Sequence, residues 1–284
     1  MSRRRRSSAI AALAGAVALV LAISVPALAH GGVEDARVRI IHAVPGAPAV
    51  DVTIDGAPVL ADVAFRTVSE YYAREPGSHD IELREAGTET VVLAATIEVG
   101  EGKAYTVAAI GTPGDIKPAV FEDDPEPIAG SARLRFIHLS PNAPAVDVVV
   151  VSAADGGVAP ATWVAGLAYP GTGPYDEFPE GTYEIRALAA GTPDVAGTAD
   201  GVVLAAGSTY TAFALGLTGD GVAPDQAFGI DVVTDESSGP ETSTAPVAAV
   251  PADDGTPLLP LAAGVVAAVV ALVVLRRRLV RSDR

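Results

Sequence analysis

The chain has 284 residues, with 22 prolines, 29 glycines, no cysteine and a formal net charge of −16. Nine of its 19 lysines and arginines lie in Arg3 to Arg6 and after Leu275, so between His30 and Pro257 ten cations face 34 acids. So acidic a middle repels phosphate backbones, which excludes nucleic acid as a partner. Without cysteine there is no disulfide to staple an exported fold and no site for a lipid anchor.

Residues 1–29 open with a basic stretch, continue through an apolar run from Ala9 to Val25, and end on Ala27-Leu28-Ala29. That is the pattern of a signal peptide, and cleavage would make His30 the mature N-terminus.

Two copies of one module follow, over 30–124 and 132–233, joined by 125–131. Ala36 to Val52 (ARVRIIHAVPGAPAVDV) and Ala132 to Val148 (ARLRFIHLSPNAPAVDV) agree at 12 of 17 positions at an offset of 96. Such self-similarity marks a repeated structural unit. Alternation puts Val38, Ile40 and His42 on one strand face and Arg37, Arg39 and Ile41 on the other, and copy two repeats this with Leu134, Phe136 and His138 against Arg133, Arg135 and Ile137. Pro45 and Pro48, like Pro141 and Pro144, deny ladder donors and end that strand. A second strand follows from Val50 or Val146 and carries Asp51 or Asp147 among valines, so the pair reads as a hairpin.

Further strands are expected over His79 to Glu85, Val91 to Val99, Ala104 to Ile110 and Ile116 to Phe121. Their counterparts in copy two are Gly181 to Ala187, Val202 to Leu204, Tyr210 to Leu215 and Ala227 to Val233. About seven short strands per module, punctuated by glycine and proline, predict an all-β chain of two tandem antiparallel immunoglobulin-like β-sandwiches. The acidic joint Glu122 to Ser131 would permit limited hinge motion.

Residues 234–257, rich in Pro, Ser, Thr and acids, read as an extended stalk. Leu258 to Leu275 is 18 residues without a charge, about 27 Å as a helix and enough to span a bilayer. The basic tail 276–284 places that end in the cytoplasm by the positive-inside rule. The expected topology is a single-pass type I protein of the cell membrane, anchored by its C-terminal helix, with its ectodomain outside.

The R-x-[IF]-I-H-x-x-P-x-A-P-x-V-D-V run, the later Gly-x-[YH]-x-I strand, and Y-T-x-x-A-[IL]-G at Tyr105 to Gly111 and Tyr210 to Gly216 resemble the bacterial exported domain family called Domain of Unknown Function 4397. The likeness covers about Ala36 to Asp124 and Ala132 to Val233. It implies a cell-envelope β-sandwich module, often in tandem, and brings no catalytic residues with it.

Chemistry has few carriers here. His42 with Asp51, and His138 with Asp147, supply the base and orienter of a hydrolytic triad if they meet across the hairpin. Ser140 is the nucleophile near His138, but Val44 holds its place in copy one. The simpler role for these residues, with Pro45, Pro48, Pro141 and Pro144, is to satisfy turn backbone groups. A freed His30 chelates copper if a second histidine closes the site. The acids Glu122, Asp123, Asp124 and Glu126 at the joint share Ca²⁺ if they converge. Tyr71, Tyr72, Trp163, Tyr169 and Tyr175 fall in the variable middle of each copy, where rings stack on sugars or anchor proteins. Trp163, Tyr169 and Tyr175 make copy two the richer ligand face.

The expected function is a non-catalytic spacer or recognition ectodomain without cofactor, its partner an envelope polysaccharide or protein. An exported hydrolase using His138 and Ser140, and a Ca²⁺ or copper sensor, are the alternatives.

Overall fold

A computed structural model describes residues 34–152 and 162–238. The segments expected to be signal peptide, membrane span, basic tail and, beyond Ser238, stalk lie outside these residues, as does His30. Among the described residues no helix is long and apolar enough to cross a membrane.

The first module contains β1 (Ala36–His42), β2 (Val50–Ile54), β3 (Ala57–Val63), β4 (Tyr72–Arg74), β5 (Gly77–Glu85), β6 (Val91–Val99), β7 (Ala104–Thr112) and β8 (Asp115–Asp123). They form two four-stranded sheets, in the orders β4-β1-β7-β8 and β3-β2-β5-β6. The second module repeats this with β9 (Ala132–His138), β10 (Val146–Ser152), β11 (Thr162–Leu167), β12 (Gly171–Thr172), β13 (Asp176–Phe178), β14 (Gly181–Ala189), β15 (Val195–Leu204), β16 (Ser208–Leu215) and β17 (Gly229–Ser237). Here β9 and β16 are central to one sheet, between β12 and β17, while β11-β10-β14-β15 makes the other. Both β12 and β13 pair with β9; β13 takes the place of β4, and β12 that of the single bridge between Ile41 and Val68.

The sandwich class agrees with expectation, but the strand order is not that of an immunoglobulin domain. There the first strand pairs with the second. Here β1 lies inside its sheet, antiparallel to β4 and parallel to β7, and β9 is likewise parallel to β16. The expected hairpin is also absent, because β1 and β2 belong to opposite sheets. The reason is local. A tight hairpin needs a two-residue turn of matching twist, whereas two prolines and Gly46 at φ 79° carry the chain over the edge of the sandwich.

Each sandwich has its own core, built around Val38, Ile40, Val52, Leu83 and Val107 in one and Leu134, Phe136, Val148, Ile185 and Ala212 in the other. A third apolar cluster joins residues of the two modules: Ile41, Ala108 and Ile110 from the first, Ile137, Leu139, Phe213 and Leu215 from the second. Hence β7 is buried from Ala104 to Ile110 and β16 along its whole length. A strand covered on both faces carries apolar side chains without alternation, as YTVAAI and YTAFAL do. The described residues fall in one compact unit, and the module relation is set by these packed sheets as well as by the joint.

The last strand corrects a boundary. The composition predicts a stalk from Thr234, but Thr234 pairs with Tyr210, Glu236 with Thr209 and Ser237 with Ser208. The acidic composition concealed this, because Asp235 is a buried partner rather than a solvated charge.

Candidate functional site

The repeated histidines clamp the sandwich corner. His42 Nδ1 accepts the Val44 N–H at 3.3 Å while Nε2 lies 3.1 Å from the Pro48 carbonyl. These partners require the neutral ring with its proton on Nε2. His138 does the same with Ser140 N–H (3.4 Å) and the Pro144 carbonyl (3.1 Å). Burial holds both rings below the ordinary histidine pKa, against the opposing pull of the carbonyls. Each ring also meets an aromatic edge-to-face, Phe65 at 6.3 Å and Tyr169 at 6.1 Å.

Neither aspartate serves as an orienter for these rings. Asp51 accepts the N–H of Asp62 (2.9 Å) and of Gly87 (3.0 Å), and Asp147 accepts those of Gly166 (2.7 Å) and Gly191 (2.8 Å). Each carboxylate thus staples its strand to two neighbouring segments, and these amide bonds hold both carboxyls below the usual aspartate pKa. Ser140, fully buried, donates its hydroxyl to the Gly216 carbonyl at 2.6 Å. His138 Nδ1 is turned to an amide, so the serine and histidine are not arranged as nucleophile and base.

The joint acids diverge. Glu122 pairs with Lys103, Asp124 with Arg133 at 2.6 Å and Glu126 with Arg37 at 3.2 Å, while Asp123 is buried. Among the described residues no three His, Cys, Asp or Glu side chains are grouped to hold a metal ion.

Asp123 belongs to a cluster that the sequence reading missed. Arg39 and Arg135, only 2% and 1% exposed, meet between the modules. Arg39 donates to its own module's Thr106 (2.8 Å) and, across the interface, to Thr211 (3.0 Å) and Asp235 (2.6 Å). Arg135 reciprocates, with Thr211 (3.0 Å) in its own module and Thr106 (3.3 Å) and Asp123 across. Each threonine hydroxyl then donates to its own aspartate at 2.6 Å. Tyr71 and Tyr175 close the cluster: their hydroxyls donate to Asp123 (2.6 Å) and Asp235 (2.9 Å), and their rings lie 4.8 and 4.7 Å from Arg39 and Arg135. Desolvation opposes the Arg39 charge, but Asp235, Tyr71 and Asp123 outweigh it and raise its pKa; burial, with the nearby aspartates, raises both tyrosines.

This is the contact pattern of a two-fold dimer, residue i touching j′ and j touching i′, made within one chain. Its signal was available in the arginine repeated on the outward face of β1 and β9 and in the threonine of each Y-T motif. It also relocates the expected ligand face. Tyr175 lies in the cluster, Tyr169 packs on the inter-module apolar residues, and Trp163 bonds Asp176 at 2.7 Å with its ring against Phe178 at 5.3 Å. Their polar ends are held by aspartates or their rings by neighbours, so the three do not form an open aromatic face.

A groove of about 610 Å³ opens at one end of the first module. Tyr72, Arg74, Glu75, Asp35, Asp55 and His79 line it over Ile54 and Val59. The turn Asp55-Gly56 takes positive φ at both residues (53° and 77°), the conformation that Asp-Gly favours between paired strands. This aims Asp55 at β5, where its oxygens meet Asp80 N–H (2.9 Å) and His79 Nδ1 (2.6 Å). Half-buried Tyr72 has the Arg74 guanidinium 5.8 Å from its ring centre.

No curated protein matches the chain. Among solved structures, a similar one is the crystal structure of CBMbc (family CBM26) from Eubacterium rectale Amy13K in complex with maltoheptaose. It is 9% identical, covers 73% of this chain and 98% of its own, and has a TM-score of 0.22, too low to carry an argument about fold or ligand. Residues 36–149 match a family described as a domain of unknown function, DUF4397. That range contains the whole first module and the second His-Pro-Asp signature. The stretch 36–149, with its clamping histidines and stapling aspartates, is thus similar to the DUF4397 family.

Proposed function

We propose that the chain is a membrane-held, non-catalytic envelope protein whose joined sandwiches form a recognition ectodomain, and that the groove beside Tyr72 takes a hydroxyl-rich polysaccharide segment. The groove carries the reading. It sets an aromatic ring beside carboxylates that accept hydroxyl protons and a guanidinium that donates, over an apolar floor. The acidity of the chain disfavours an anionic polymer. The signal peptide, the apolar segment at Leu258 to Leu275 and the arginines after it support display outside the cell.

The test is retention of the purified full chain on neutral envelope polysaccharide. Tyr72→Ala and Arg74→Ala should each weaken retention at least about tenfold, with little change in melting temperature for Arg74→Ala, a ring or a charge-assisted bond being worth ~1–3 kcal/mol. Equal retention by wild type and both variants sinks the groove reading. The paired inner sheets would then favour the plainer role of a rigid spacer.

A further inference from the structure

One wall of the groove is held by a histidine with two acceptors. His79 Nδ1 stands 2.6 Å from Asp55 Oδ2, and Nε2 stands 2.7 Å from the Glu75 carbonyl oxygen. A neutral imidazole has one N–H and satisfies one of these oxygens; the imidazolium satisfies both. His42 and His138 differ, since each has one nitrogen accepting a backbone amide.

The charged groups around His79 favour the cation. Asp55 reaches it from the turn between β2 and β3, Glu75 and Arg74 stand at the end of β4, and Asp35 lines the same groove. On its own strand, Asp80 receives the Thr96 hydroxyl at 2.7 Å, and β6 pairs with His79 at Ile97, next to Glu98. Burial and Arg74 oppose the charge. The bond to Asp55, then the Glu75 carbonyl, keeps the His79 pKa above its ordinary value.

We propose that His79 is a proton-operated latch on the groove, tying the β2–β3 turn to the corner between β4 and β5 when charged and releasing that corner when neutral. On deprotonation the Nε2 proton passes to solvent. Nδ1–H stays with the Asp55 carboxylate, and the Glu75 carbonyl loses its donor. The freed corner is Glu75-Pro76-Gly77, where Gly77 has φ 139°, a backbone setting that side-chain-bearing residues rarely adopt. Because the folded pKa is raised, the latch is fully engaged below the unfolded value of about 6.5. It is lost as pH rises through the higher folded value. The consequence for ligand uptake rests on the groove reading above; the latch itself does not.

Imidazole NMR and amide hydrogen exchange on the full chain test it together. At pH 6.5 His79 should be charged while His42 and His138 are neutral, the signals being assigned by their loss in histidine variants. Exchange at Gly77 to Asp80, corrected for intrinsic pH dependence and referred to β2, should rise about tenfold as His79 titrates. It should be flat in His79→Gln. Asp55→Asn, which keeps an acceptor for Asp80 N–H but removes the charge, should move the His79 titration down. A neutral His79 at pH 6, a titration unmoved by Asp55→Asn, or the same pH-dependent loosening in His79→Gln overturns the proposal. If the latch titrates as expected but polysaccharide is not retained at any pH, the latch stands and the ligand reading fails.

Discussion

Each histidine in the two proline signatures fastens a corner where the chain passes from one sheet to the other. His42→Ala should therefore lower stability by about 1–3 kcal/mol, the cost of leaving buried partners unpaired, as measured by denaturant unfolding. Acid acts on the same groups. The folded pKa values of His42 and His138 lie below 6.5, so their contribution is present above that pH and is lost as pH falls through the folded values. Asp51 follows the same rule in a lower window, below its ordinary 3.8. The melting temperature should drop in two stages on acidification, and His42→Gln with His138→Gln should flatten the first. The position of these residues was legible as a dense repeat of histidine, prolines and aspartate. The partners of the aspartates were not, because those lie on segments up to 44 residues away that no local spacing reveals.

At the level of strands, the Y-T-x-x-A-[IL]-G motif now has a physical account. The Tyr105 hydroxyl accepts the Gly100 N–H and that of Tyr210 accepts the Ala205 N–H, both at 3.1 Å, so each ring ties down the turn before its own strand. The threonine enters the buried cluster. The glycine ends the strand at φ 105° or 87°, where an added Cβ would stand 2.2 Å from the Asp115 carbonyl oxygen or 2.3 Å from that of Ala227. Gly111→Ala and Gly216→Ala should each cost at least about 2 kcal/mol, strain and clash acting together; a melting temperature within a degree of wild type would contradict this. In the sequence β6 is legible with its bounds and β7 nearly so, because glycine turns flank them. Strands β3, β4 and β11 to β13 are not, being short or interrupted by glycine and proline and without alternation of their own.

Across the whole molecule, the buried arginine cluster makes each sandwich complete only against the other. Breaking a buried pair by removing one partner leaves an uncompensated charge and costs about 3–5 kcal/mol, so Arg135→Ala and Asp235→Ala should both be strongly destabilising. Unfolding of the wild type should be a single transition seen alike by probes in either module. Two separated melts would show that the inner sheets are not coupled. Apolar residues at these sites need not be less stable, since well-packed substitutes for buried ion pairs are often neutral or better. The cluster's own contribution is to register: it fixes which strand faces which. Contacts without a counterpart then distinguish the modules. Arg66 grips Asp231 through two bonds of 2.8 Å, whereas Pro170 occupies the matching place in copy two.

Because both partners of this reciprocal interface are carried on one polypeptide, its assembly does not depend on how many copies the cell makes. Separate modules would drift apart when scarce, as any two-body equilibrium does. Here the joint keeps each partner at an effective concentration set by its length. The melting temperature of the chain should accordingly be the same at nanomolar and micromolar protein.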